Sequence, residues 1–214
     1  MVMFDYLIEH RDRVWELTVE HLQLTLLAIG FALPVAIVLA LLIARFRPLN
    51  LPVLSTLGII YTIPSLAAFA FLIPVVGIGR QPALIVLAAY AQLFLVRNIA
   101  TGLRGVDPAV LEAARGMGMA PWQIALRVEF PLALPVIIAG IRIALVTTIS
   151  LATIAAWINA GGLGALLFNG ITRNNQSMIW AGTLAVTTLA LLADQLMRLL
   201  ERLTAVARAR RAVG

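Results

Sequence analysis

The sequence predicts an all-α fold, a polytopic membrane helix bundle of about five transmembrane helices. Three observations carry this. Of 214 residues, 62% are hydrophobic and 12% charged, whereas a soluble domain is nearer half apolar and a quarter charged. The apolar residues form long runs, several close to the roughly 20 residues a spanning helix needs. Apart from isolated residues such as Arg142, the charges gather in short clusters between those runs.

Residues 1–21 form a segment ahead of the first run, with Asp5, Glu9, Asp12, Glu16 and Glu20. It has no early basic region, short apolar core or small-residue cleavage site, so it does not read as a cleaved signal peptide. His10 and His21 have no matching ligand set and are expected to be solvated. The first span runs from about Leu22 to Ala44 and the second from about Leu51 to Val76. Within the second, Pro64 lacks a helix donor and predicts a kink. Thr62 or Ser65 can hydrogen-bond the carbonyls a kink exposes. The other reading is that Tyr61, Pro64 and Ser65 line a translocation path, with the Tyr61 ring facing a cation. The third span covers about Pro82 to Ala100.

The fourth span starts near Pro131 and ends near Ala156. Arg142 lies about 16 Å past Pro131 at 1.5 Å per residue, roughly mid-bilayer. An Arg at such depth faces a bundle interior or water. It is a pathway or gate residue, or it pairs with a backbone carbonyl or polar side chain of a neighbouring span. The following "NAGGLGALLFNG" is expected to be non-helical or re-entrant, with room for a sixth short helix. Asn159, Gly161 and Gly162 there form an outer gate or merely a tight loop. The fifth span covers about Met178 to Leu200, with Asp194 placed to meet Arg198 at i+4. Residues 22–202 thus read as one transmembrane domain, followed by a basic tail at 203–214.

All 16 basic residues are Arg, and their distribution predicts orientation. With the N-terminus outside, the inner face receives Arg45, Arg47, Arg97, Arg104, Arg115, Arg127, Arg198, Arg202, Arg208, Arg210 and Arg211. The outer face receives Arg11, Arg13, Arg80 and Arg173. The net charge of +6 therefore points to lipid and topology, not nucleic acid. With no Cys, thiolate metal sites and Cys nucleophiles are excluded; with no Lys, so is a Walker-type phosphate loop. No nucleophile–base pair, carboxylate pair or metal spacing is present, and no cofactor is expected in this chain.

Between the third and fourth spans lies a polar insert at 107–128, cytoplasmic in that orientation. Asp107 suits an N-cap and Pro108 the first helical position. Val110, Ala114 and Met117 make one apolar stripe with Glu112 on the far face. Ala113, Gly116 and Gly118 let another backbone approach, and the glycines favour a turn. Pro121 then starts a second short helix. The pattern fits an amphipathic loop on the inner leaflet and, equally, a helix shaped for a partner's groove.

Glu112-Ala113-Ala114, three residues, Gly118, nine residues, then Val128-Glu129-Phe130-Pro131 resembles the EAA motif of ABC-importer permeases. "YTIPSLAAFAFLIPVVGIG" and "NAGGLGALLFNGI" extend the likeness to the osmoprotectant branch, which handles glycine betaine, carnitine and choline. Asn159 departs from that branch, which usually has Gly there. The resemblance implies a type I permease fold and a coupling helix in which Glu112, Ala113, Ala114 and Gly118 meet a separate ATPase. It also implies that Pro131 sets the start of the next span. The partners so implied are that ATP-hydrolysing subunit, a second identical or paralogous permease, an extracytoplasmic solute-binding protein and membrane lipid. Other readings are a permease for another small solute, such as methionine or proline, and a partner-free channel or secondary transporter.

Overall fold

The computed structural model describes residues 2–204. The tail arginines Arg208, Arg210 and Arg211 lie outside them. Helix α1 (Val2–Glu9) leads into α2 (Arg11–Arg45). Helix α2 thus starts well before Leu22, and residues 11–21 are its first three turns rather than a separate segment. A 3-10 turn, Arg47–Leu49, precedes α3 (Asn50–Thr62) and α4 (Ser65–Val76). Helix α5 (Arg80–Arg104) follows, then α6 (Pro108–Gly116) and α7 (Pro121–Ile124). A π-turn, Ala125–Glu129, joins α7 to α8 (Phe130–Ala155), and a 3-10 turn at Ala156–Ile158 closes α8. Short α9 (Gly164–Thr172) and long α10 (Gln176–Arg202) follow.

Four helical stretches are long and apolar enough to span, and the α3–α4 pair makes five if counted as one broken span. The expected kink at Pro64 is a full break: α3 and α4 meet at 91°. Proline disfavours the helical region for the residue before it, and Ile63 is extended at φ −63°, ψ 128°. Pro131 does not start the helix that carries the fourth span. Helix runs unbroken from Pro121 to Ile158. Because Pro131 brings no N–H, the ladder shifts ahead of it, and the Phe130 N–H bonds to the Ala125 carbonyl five residues back. The segment expected to be non-helical or re-entrant, with room for a sixth short helix, holds one as α9, whose 9 residues reach about 14 Å, too short to span.

Helix α5 is the most buried, packed by α2, α3, α4 and α8. Ala28, Ala32, Ala36 and Ala40 of α2, each at most 1% exposed, repeat every fourth residue and let the backbones close up. Between α5 and α8 the fit is tighter still. A Cβ on Gly102 would sit 3.1 Å from the Ala133 carbonyl, and one on Gly140 2.3 Å from the Asn98 Cβ. Gln92 ties α5 to α2 by donating to the Ala32 carbonyl at 2.9 Å.

Candidate functional site

The polar and irregular positions fall at three levels of the bundle. The first is the 107–128 segment. The Asp107 carboxylate caps α6 by accepting the Ala109 N–H at 2.8 Å. Gly118, at φ +77°, ends it, and the Met119 N–H returns to the Ala114 carbonyl at 3.2 Å. The expected apolar stripe divides: Ala114 is buried, but Val110 is 41% and Met117 74% exposed. Glu112 and Gly116, one turn apart, share the face opposite Ala114, with Ala113 exposed beside them. A Cβ at Gly116 would meet nothing among the described residues within 4 Å. Packing among them therefore does not require a glycine there.

On the same side of the bundle, Arg142 joins α8 to α10. Its Nε lies 3.6 Å from Asp194 and its Nη1 3.4 Å from Glu201. Arg198 takes the other Asp194 oxygen at 2.7 Å, the expected i+4 pair. The two carboxylates on one guanidinium are a pair that sequence inspection missed. Two residues before Arg142, Gly140 abuts Asn98, six residues from the end of α5 at Arg104, so Arg142 lies about 12 Å in from that end. Arg142→Leu leaves two half-buried carboxylates facing each other and is expected to cost about 1–3 kcal/mol, between exposed and buried pairs. A triple variant that also carries Asp194→Leu and Glu201→Leu is expected to recover that stability in a thermal scan. Transport by that triple variant separates a structural pair from a pathway residue: normal uptake removes Arg142 from the pathway.

The second level is the α3–α4 break. Thr62 donates to the Ile59 carbonyl at 2.7 Å, as expected of a residue beside freed carbonyls. The Tyr90 hydroxyl of α5 takes the Ile63 carbonyl, a partner not apparent from sequence. Tyr61 packs edge-on against Phe94, centroids 5.1 Å apart, and tilted against Tyr90 at 5.5 Å. Its ring is thus engaged by two others. Ser65 is half-buried at the start of α4 and Pro64 is exposed.

The third level is the turn between α8 and α9. Asn159 is left-handed at φ 62°, which asparagine tolerates better than other side-chain-bearing residues. Gly161 and Gly162, at φ 85° and 82°, turn the chain back. The turn is held from α2. The Glu20 carboxylate accepts the Gly162 N–H at 2.9 Å. His21 Nδ1 accepts the Leu163 N–H at 3.3 Å, and its Nε2 donates to the Ile149 carbonyl at 2.9 Å. His21 is therefore not solvated: it is fully buried, a neutral ring bonded at both nitrogens. His21→Ala orphans a buried N–H and a buried carbonyl and leaves a cavity. It is expected to cost about 3 kcal/mol, read as a lowered melting temperature that His21→Gln partly restores.

Comparison with known proteins accords with this architecture. Residues 28–206 match the family model of the binding-protein-dependent transport system inner membrane component. The chain belongs to this family. An osmoprotectant import permease, OsmW of Salmonella typhimurium, is 42% identical over 92% of this chain and 94% of its own. A carnitine transport permease, OpuCB of Listeria monocytogenes, is 42% identical over 87% of this chain and 86% of its own. Among solved structures, the permease fold is shared with the MetNI methionine ABC transporter in an inward-facing conformation. The TM-score is 0.75 at 24% identity, covering 93% of this chain and 98% of that one. The EAA-like motif thus sits in a true member of the family, a multi-pass transport subunit of the osmoprotectant permease branch.

Proposed function

We propose that this permease imports osmoprotectant quaternary amines such as glycine betaine, choline or carnitine. Two permease subunits form the pathway, an extracytoplasmic binding protein delivers solute, and ATP is hydrolysed on a separate subunit. The observation that carries the substrate class is the 42% identity, over nearly the full length of both chains, to a permease named for osmoprotectant import. In this reading the 107–128 segment is cytoplasmic, the N-terminus is outside and the C-terminus inside, following the arginine bias. The Asn159–Leu163 turn then lies on the outer face, where solute arrives. Glu112, Ala113, Ala114 and Gly118 belong to the element that docks on the ATPase, and Pro131 lies on the following helix, 121–158, about three turns from its start. The exposure of Glu112 and Ala113 and the free space around Gly116 support a surface completed by another chain.

The test is reconstitution of the permease with its ATPase and binding protein in liposomes. ATP-dependent uptake of labelled glycine betaine, choline or carnitine is expected, with no uptake by the permease alone. Uptake of methionine or proline in their place would overturn the substrate class and leave the transport role standing.

A further inference from the structure

On the α6 side, α2, α5 and α8 splay around an apolar crevice of about 460 Å³, whose walls include Leu33, Leu41, Leu103, Phe130 and Ile141. It begins level with the end of α5, a helix long and apolar enough to span. Gly102, two residues from the end of α5, abuts Ala133, so Glu129, one turn earlier on the same helix, lies level with the last turn of α5. From Glu129 to Ile141 the wall climbs twelve residues, about 18 Å. Half the hydrocarbon core is about 15 Å deep. The crevice is therefore as deep as one leaflet, and Glu129 is the charged side chain in its lining.

Glu129 is half-buried, and the salt bridges among the described residues leave it unpaired. A carboxylate at the head of an apolar slot matches a molecule with a cation at the interface and hydrocarbon below. The crevice also adjoins an apolar face of α2, with Val38 and Leu42 exposed. We propose that this crevice holds one acyl chain of a phospholipid whose headgroup carries a primary ammonium, read by Glu129. The site goes beyond the transport reading and does not depend on the solute.

The test is native mass spectrometry of the full-length permease released from detergent with phosphatidylethanolamine or phosphatidylglycerol added. One exposed-to-half-buried ion pair gives an expected preference for phosphatidylethanolamine of about fivefold. Glu129→Lys is expected to reverse it toward phosphatidylglycerol. Leu41→Trp, which fills the crevice from α2, is expected to lower retention of both. Equal retention of the two lipids by the unaltered protein would overturn the proposal, as would an unchanged preference in Glu129→Lys. The chain has no Cys, so Leu41→Cys is a clean probe. A disulfide between two copies at that position would put a second permease over the crevice and also overturn it.

Discussion

Gly116→Trp is expected to abolish ATP-driven uptake while leaving the permease folded. The reasoning rests on where the side chain would go. A Cβ at Gly116 meets nothing among the described residues within 4 Å, so an indole there projects into open space. If the ATPase closes on that face, the indole occupies the volume its groove requires. Losing a central contact of an interface costs about 2–4 kcal/mol, which is thirtyfold or more in affinity. Glu112→Arg, one turn away on the same face, is expected to do the same by reversing charge. Gly116→Ala is the control: it adds a methyl into free space and raises helix propensity by about 1 kcal/mol, so co-purification with the ATPase is expected to persist. Gly118 is the poorer probe. Its φ of +77° strains any side chain by about 1–2 kcal/mol, so Gly118→Trp confuses local unfolding with lost docking. A folded Gly116→Trp permease that still pulls down its ATPase and drives uptake would sink the docking assignment.

Much of this fold is legible in sequence because lipid imposes a long-range rule on a local pattern. An apolar run of about 20 residues must be a helix, since no other open structure satisfies its backbone. The spans near Leu22–Ala44, Pro82–Ala100 and Met178–Leu200 therefore appear as helices, each extended by a turn or more. The pair Asp194 and Arg198 was visible because both residues lie on one helix. What was hidden depends on chain-distant partners. His21 looked like a solvated residue before the first span, yet its two partners lie 128 and 142 residues away. Asp194 and Glu201 meet on Arg142 only because α8 and α10 pack together. Whether Pro64 bends or breaks its span turns on a tyrosine of α5 that takes the freed carbonyl. One overlooked signal was local: alanine at every fourth position from Ala28 to Ala40 marks the buried face of α2.

Gly164→Ala tests how the glycines of the turn between α8 and α9 differ from one another. Gly161 and Gly162 are explained by positive φ, but Gly164 is not, since it begins α9 in ordinary helical conformation. Its constraint is proximity. A Cβ there would lie 2.0 Å from the Thr153 carbonyl oxygen and 2.8 Å from the Ala156 Cβ. Neither neighbour can rotate away, because one is backbone and the other is fixed to it. Helix α9 must therefore move off α8 by about an ångström to regain van der Waals distance. That shift acts on Leu163, whose N–H bonds His21 at 3.3 Å and has little length to spare. Overpacking and the orphaned bond together are expected to cost about 3 kcal/mol or more. Gly30→Ala is the matched control, because a Cβ there meets nothing within 4 Å. In thermal unfolding of the purified permease, Gly164→Ala is expected to melt well below the unaltered protein and Gly30→Ala with it. Proteolysis is expected to reach the 159–175 turn only in the former. A Gly164→Ala protein with unaltered melting and protection would mean that α9 is not packed as closely on α8 as the Thr153 contact requires, and the α2 clasp would then lose its reason to be rigid.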